Sequence, residues 1–367
     1  MSGSVKSGSA RSPSVMSSGV MSPGLTSASA RCKHVPDACI TAGRATYSPP
    51  GRRRPIFLGG LLLASLLASS QASALNILLS NDDGYRHPNI RALYTALKAA
   101  GHRVKIAAPE GDQSARGGSF LFGREVTIGQ DSDPAFPDSY YVATREQGLC
   151  ASPECAGKPV SIAISGTPVM AVLMGLSKVM PKPDLIIVGP NPGNNLGAIN
   201  SASGTYNAAG IGVQAGIPTL AVSNDLKEQD TQGVARVITR LVDALDHHRQ
   251  PDGALLPPGI GLNINLPPLD QIKGLKQTQV GSYVGFEPVW TNNLAKLFPQ
   301  QAGKAGISFQ SNQPPTEAEQ DNEAVWVAKG YVTVSPFEPA PARVAIGTAL
   351  QPLIDAEQRD LVSGRQP

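Results

Sequence analysis

The chain has 367 residues, 38 Gly and 32 Pro among them, with 41% hydrophobic and 16% charged residues. This composition excludes a collagen-like or wholly disordered chain and fits a loop-rich globular protein with one sizeable domain. The net charge of +3 owes its sign to residues 1–74, which carry +7 from Lys6, Arg11, Arg31, Lys33, Arg44 and Arg52 to Arg54 against the single acid Asp37; the remainder carries −4, too little basic charge for a nucleic-acid polymer as partner.

Residues 1–50 are rich in Ser, Gly and Pro and lack apolar periodicity, so no packed structure is expected there. Arg52-Arg53-Arg54, the apolar run Ile56 to Leu67 and Ala72-Ser73-Ala74 then follow in the order of a secretory signal. The mature chain is expected to begin at Leu75 and to be exported, periplasmic or secreted. A membrane anchor, the alternative, needs about 20 apolar residues, and this run is shorter and ends in Ser69-Ser70-Gln71. Once the signal is cut, no membrane span is expected. Cys150 and Cys155 remain, close together in a polar loop; a local disulfide suits an oxidising compartment, and two thiols binding metal is the alternative.

Leu75 to Ser80 predicts a strand, Asn81-Asp82-Asp83-Gly84 a loop, and Ile90, Leu93, Tyr94 and Leu97 a helix by their spacing. Val104 to Ala108 predicts the next strand, parallel to the first in a βαβ unit, ended by Pro109 and a Gly-rich loop. Residues 127–160 read as irregular, Val160 to Ile164 as a strand, and Val169 to Val179 as a helix behind the cap Thr167-Pro168. Asp184 to Val188 is a continuously apolar strand of the kind buried on both faces. A loop rich in Asn, Gly and Pro follows, then a helix opening near Ser203-Gly204-Thr205, a strand over Thr219 to Ser223, a helix around Val234 to His247, and a last strand at Asn263 to Leu266.

The expected fold is therefore α/β, a Rossmann-like three-layer sandwich on a mostly parallel sheet over residues 75–266. Residues 267–367 form a β-rich extension for subunit contact, with strands at Leu275 to Val280, Glu323 to Lys329 and Tyr331 to Val334. His87, His102, His247 and His248 show no spacing for a triad or a zinc site and read as surface residues. The phosphate loop, the dinucleotide fingerprint and the nucleophile elbow are all missing.

In an open parallel sheet, ligands bind outside the carboxyl ends of the strands. Asp82 and Asp83 follow the first strand, Ser114 lies after the second, and Asn191 follows the strand at 184–188. Carboxylate, hydroxyl and amide oxygens without Cys or His suit Mg²⁺ or Mn²⁺. An Asp pair at a strand end also serves as a turn or cap, as Asn does. Ser203-Gly204-Thr205 caps a helix, and its amides and hydroxyls can seat an anion. Arg116 either adds charge on that anion or is a solvated loop residue.

Seven segments, in order, resemble one family: Leu78 to Gly84, Ala108-Pro109 through Ser114, Gly166-Thr167-Pro168, Asn191 to Gly197, Ser203-Gly204-Thr205, Leu262 to Pro267 and Gly330-Tyr331-Val332 look like SurE, the stationary-phase survival proteins that act as 5′/3′-nucleotidases. The resemblance implies Asp82, Asp83, Ser114 and Asn191 as ligands of the divalent metal, and Asn195, Ser203, Gly204 and Thr205 as phosphate surroundings. It also implies an exchanged C-terminal arm that builds a homodimer or homotetramer. The implied reaction is hydrolysis of nucleoside monophosphates by metal-activated water, with Asp82, Asp83 and Asn191 catalytic. Val188-Gly189-Pro190 before Asn191, Gly193-Asn194 before Asn195, and Met170-Ala171 after the Gly-Thr-Pro segment depart from the usual pattern. A non-catalytic nucleotide or phosphate binder on the same fold is the alternative.

Overall fold

A computed structural model describes residues 74–149 and 157–339. The expected leader and signal, the cysteine pair and residues 340–367 lie outside the described residues.

The element order is β1 (Asn76–Ser80), α1 (Pro88–Ala99), β2 (Arg103–Pro109), β3 (Val126–Gln130), β4 (Ser139–Leu149), β5 (Pro159–Ser165), α2 (Pro168–Met174), β6 (Leu185–Pro192), α3 (Gly204–Gln214), β7 (Thr219–Asn224), α4 (Thr231–His247), β8 (Gly261–Leu266), β9 (Gly274–Gln277), β10 (Phe286–Thr291), β11 (Gly306–Ser311), α5 (Glu323–Ala328) and β12 (Tyr331–Phe337). The main sheet runs β3-β4-β2-β1-β6-β7-β8-β12-β9, with β5 paired to β4. From β4 to β8 every pairing on this path is parallel. The predicted α/β sandwich is borne out.

Two cores explain the three layers. Alternate residues of one strand point to opposite faces, so Ile77 and Leu79 of β1 and Leu185 and Ile187 of β6 join Ile90 and Leu93 of α1 and Val234 and Ile238 of α4. Leu78, Ile186 and Val188 go the other way, to Val169 and Val172 of α2 and Ala208 and Val213 of α3. Runs such as Leu185 to Val188 are apolar throughout because both faces are covered.

Strands β3 and β4 occupy the stretch expected to be irregular. Pro134 and Pro137 sit in the turn between them, while Ser139 to Val142 pairs parallel to β2 on one side and Tyr140 to Thr144 antiparallel to β3 on the other. The turn residues concealed strands whose partners are distant or on the edge. Glu323 to Lys329 is a second correction: it is the helix α5, with Asn322 at its N-cap, and it stops before Gly330 at φ +89°. Six residues are too few to distinguish a period of 2 from one of 3.6.

The main sheet does not stop at Leu266. β12 pairs antiparallel with β8 and parallel with β9, which carries it two strands further. Only β10 and β11 stand apart, as an antiparallel hairpin exposing Trp290 (68%) and Ile307 (58%) as cross-strand partners. His102 corrects the surface assignment: it is buried, and its Nδ1 accepts from the Leu75 amide at 3.3 Å. His87 caps α1 through the Asn89 amide, and His247 and His248 are exposed. Among the described residues, no helix is long and apolar enough to cross a membrane.

Candidate active site

The parallel sheet grows outward from β1 in both directions, to β2 on one side and β6 on the other. A crevice opens at such a reversal, outside the carboxyl ends of the two strands. Asp82 and Asp83 follow β1 there, and Asn191 lies near the end of β6.

Asn81 makes the turn that fixes the Asp pair. Its amide nitrogen donates to the Gly84 carbonyl at 3.0 Å and its Oδ1 accepts from the Gly84 amide at 3.2 Å. Gly84 adopts φ +105°, a conformation costly for residues with a Cβ. The Asp82 carbonyl accepts from the Gln113 amide at 2.6 Å, which brings the loop after β2 alongside.

Asp82 is 3% exposed, and its Oδ1 accepts from the Thr205 hydroxyl at 2.7 Å. A Cβ on Gly204 would lie 2.8 Å from Asp82 Oδ2, so the start of α3 packs directly on this carboxylate. Burial raises the Asp82 pKa, and the Thr205 hydroxyl and amide oppose it. Asp83 lacks even that support. Its Oδ2 is buried without a hydrogen-bond partner, and burial, then the charges of Asp82 and Asp112, push its carboxyl up to about 8.

Asp112 was not singled out from sequence. Its Oδ1 accepts from the Ser114 amide at 2.8 Å and the Ser114 hydroxyl at 2.6 Å. The hydrogen of Ser114 is thus committed, which leaves only lone pairs on its oxygen. Asn191 shows the same logic: its Nδ2 donates to the Gly193 carbonyl at 2.7 Å, and its Oδ1 accepts nothing among the described residues. Next to Ser114, Ala115 has φ +58°, and it is the non-glycine residue with positive φ among those described. Arg116 is exposed in this loop and makes no ion pair among the described residues.

The departure at Val188-Gly189-Pro190 falls on a register shift between β6 and β7. Gly189 has φ +123°, and a Cβ there would meet the Val222 carbonyl oxygen at 2.1 Å. Asn89 Nδ2 donates to the Pro190 carbonyl at 3.1 Å and to Asn224 Oδ1 at 3.2 Å, fixing the turn from below. Asn195 is buried further along. Its side chain donates to Ser223 Oγ at 2.9 Å, its amide to Asn265 Oδ1 at 3.0 Å, and its carbonyl accepts from Asn263 and Asn265, each at 3.0 Å. Ser203 is the N-cap of α3, its Oγ accepting from the Tyr206 amide at 3.0 Å.

The family model described as Survival protein SurE matches residues 77–285. The chain belongs to the SurE family. It is 33% identical over 269 residues to the 5′-nucleotidase SurE of Desulfitobacterium hafniense, covering 72% of this chain and 90% of that one. It is 32% identical over 269 residues to the 5′/3′-nucleotidase SurE of Citrobacter koseri, with the same coverage of each. The crystal structure of the SurE protein from Aquifex aeolicus superposes with a TM-score of 0.56 at 27% identity, over 77% of this chain and 99% of that one.

The resemblance read from seven segments is thus borne out. Of these SurE segments, those ending at Gly84, Ser114, Gly197 and Thr205 converge on the crevice; Gly330-Tyr331-Val332 opens β12, two strands beyond β7. Sequence reasoning missed Asp112 and Asn81. Each lies within two residues of a ligand candidate, which is the signal that was there.

Proposed function

We propose that this chain is a divalent-metal-dependent phosphomonoesterase that hydrolyses nucleoside 5′-monophosphates, and 3′-monophosphates as well, to nucleoside and phosphate. One observation carries this reading. Asp82, Asp83 and Asp112 crowd one crevice where no cationic side chain pairs with any of them among the described residues, and Asp83 Oδ2 is buried without a partner. Asp82 and Asp83, driven up in pKa by burial and by the like charges beside them, are what a bound cation relieves.

The donor chemistry fits a hard cation, since every candidate contact is an oxygen. Among the described residues no group of three His, Cys, Asp or Glu is arranged to hold a metal, so Ser114 and Asn191 have to complete the set. Asp82, Asp83, Ser114 Oγ and Asn191 Oδ1 would hold Mg²⁺ or Mn²⁺. The bound ion would supply charge to the phosphoryl oxygens and acidify a water. Thr205 keeps Asp82 oriented, and Asp112 turns the Ser114 lone pairs outward. Gly204 at the start of α3 offers its amide to the phosphate, with Ser203, Thr205, Asn195 and Arg116 around it.

The names of the relatives from D. hafniense and C. koseri support a nucleotide as substrate. The signal-like segment before Leu75 supports export, where such an enzyme would scavenge phosphate from external nucleotides. The exposed apolar hairpin of β10 and β11 supports assembly into a homodimer or homotetramer.

Phosphate release from 5′- and 3′-nucleotides by residues 75–367, with Mg²⁺, Mn²⁺ or EDTA and alongside Asp82→Asn, tests the proposal. Metal-dependent turnover lost in the variant is the expected result. Nucleotide binding with no turnover under any metal would sink it in favour of a binding protein, the reading that the bulged Pro190 turn favours.

A further inference from the structure

One buried titratable side chain has no part in the site above. Glu323, the first residue of α5, is 0% exposed, and no cation faces it among the described residues. Its Oε1 accepts from the Gly197 amide, Asn200 Nδ2 and Asn263 Nδ2, each at 3.1 Å, and Oε2 from the same Asn263 nitrogen at 2.9 Å. Ser335, itself hydrogen-bonded to the Thr278 hydroxyl at 2.8 Å, adds a further bond. Tyr206 on α3 is the titratable group nearby, pushed up to about 12 by burial and then by the charge of Glu323.

The partners of Glu323 share a location. Gly197 and Asn200 belong to the loop between β6 and α3, and Asn263 also donates to the carbonyl of Asn195 in that loop. The Asn200 carbonyl accepts from the amide of Ser203, the cap of α3, at 3.2 Å. One carboxylate therefore gathers the loop from Asn195 to Ser203, whose ends carry the groups assigned above to the phosphate.

The amides pay a visible cost. Asn200 Oδ1 and Asn263 Oδ1 are both buried without a partner, so the orientation of each side chain follows the acceptor at Glu323 and not the needs of its own oxygen. The role needs a group that only accepts, and an ionised carboxylate is that group. A glutamine would set an NH₂ among the donors.

We infer that Glu323 is a positioning residue for the phosphate seat: brought from the C-terminal part of the chain, it holds the loop from Asn195 to Ser203 in register with the start of α3 without touching substrate. The inference rests on the nucleotidase reading for its substrate, while its effect is also visible in phosphate binding alone.

Full-length protein saturated with Mn²⁺ is assayed at pH 8.5, above the value of about 7 to which burial pushes Glu323, so that the wild-type side chain is ionised. Glu323→Gln is expected to raise KM for adenosine 5′-monophosphate and the inhibition constant of inorganic phosphate together, by roughly tenfold, as loss of an orienting partner does. The Kd for Mn²⁺ should stay within about twofold, because Asp82, Asp83 and Ser114 hang on other elements and Asn191 is fixed ahead of this loop by its own bond to the Gly193 carbonyl and by Asn89 on Pro190. Asn200→Ala should act in the same direction and add nothing when combined with Glu323→Gln, and it keeps the test open if the first variant does not fold.

Unchanged KM and phosphate inhibition in either folded variant would overturn the inference. So would a parallel loss of Mn²⁺ affinity, which would make Glu323 a general support of the fold. If the wild type hydrolyses no phosphomonoester, the nucleotidase reading fails, and phosphate affinity measured by calorimetry with Mn²⁺ present still decides the role of Glu323.

Discussion

Asp131 and Asp83 are both carboxylates withdrawn from water in turns after strands, yet the fold treats them in opposite ways. Asp131 is met by Arg86 at 3.0 Å and by Arg91, and Arg91 also reaches Asp133 at 3.1 Å. Burial acts to raise the Asp131 pKa, but the Asp133 amide and the two arginines outweigh it and leave the value below the usual range. Asp83 has two acids for company and is raised. The first arrangement is complete as it stands and fastens a turn to α1. The second has no such partner among the described residues, and under the proposed function a cation completes it; charge repulsion at a strand end points to function where charge pairing points to architecture.

The sharpest way to break this contrast is to neutralise each carboxylate in turn. Asp83→Asn should lower turnover by about a thousandfold, the several kcal/mol that a metal supplies to a phosphoryl transition state, while the metal-free protein melts no lower than the parent. Loss of thermal stability comparable to the loss of activity would place Asp83 with Asp131 as a structural group.

Asp131→Asn should do the reverse. It leaves Arg91 short of a partner and should cost about 2 kcal/mol of stability in denaturant titrations, a figure kept low because Arg86 is largely exposed. Its kcat should stay within about twofold. A large fall in kcat without destabilisation would mean that the Arg pair serves the site.

The smallest effect is the pH dependence of the metal-free fold. Asp83 has a folded pKa of about 8 against 3.8 when unperturbed. The unfolded chain therefore releases this proton first, and stability should decline as pH rises from about 4 to 8. Melting measured with EDTA should fall by a few degrees over that window, and Mn²⁺ should restore more at pH 8 than at pH 5. A flat profile in both conditions would mean that the acid cluster is not under strain.

The middle of the fold was legible in the residues because its signals are local. Leu185 to Val188 announces a strand covered on both sides, and Ile90, Leu93 and Leu97 announce the helix that covers one of them. Toward the edges legibility falls. Strands β3 and β4 depend on each other across a Pro-containing turn, and α5 is a six-residue piece whose short apolar run reads equally as strand.

At the site the same division holds. Asp82, Asp83, Ser114 and Asn191 could be named as candidates because chain position alone puts a loop at the end of each strand. Arg116 was named on proximity, and the structure gives its guanidinium no ion pair or hydrogen bond among the described residues. That Thr205 would bind Asp82, or that Glu323 would hold Gly197, could not be read, since the partners are separated by 123 and 126 residues.

By itself the sequence determined the parallel α/β core, the family and the kind of atoms offered to a ligand, because periodicity, strand length and side-chain chemistry are properties of short segments. Tertiary structure alone decided which oxygens lose their hydrogen-bond partners, which carboxylates are paired with arginine and which with each other, and that the site loop hangs on a residue from the far end of the chain. Burial and Coulomb interaction depend on distance in space, and only the folded chain sets those distances.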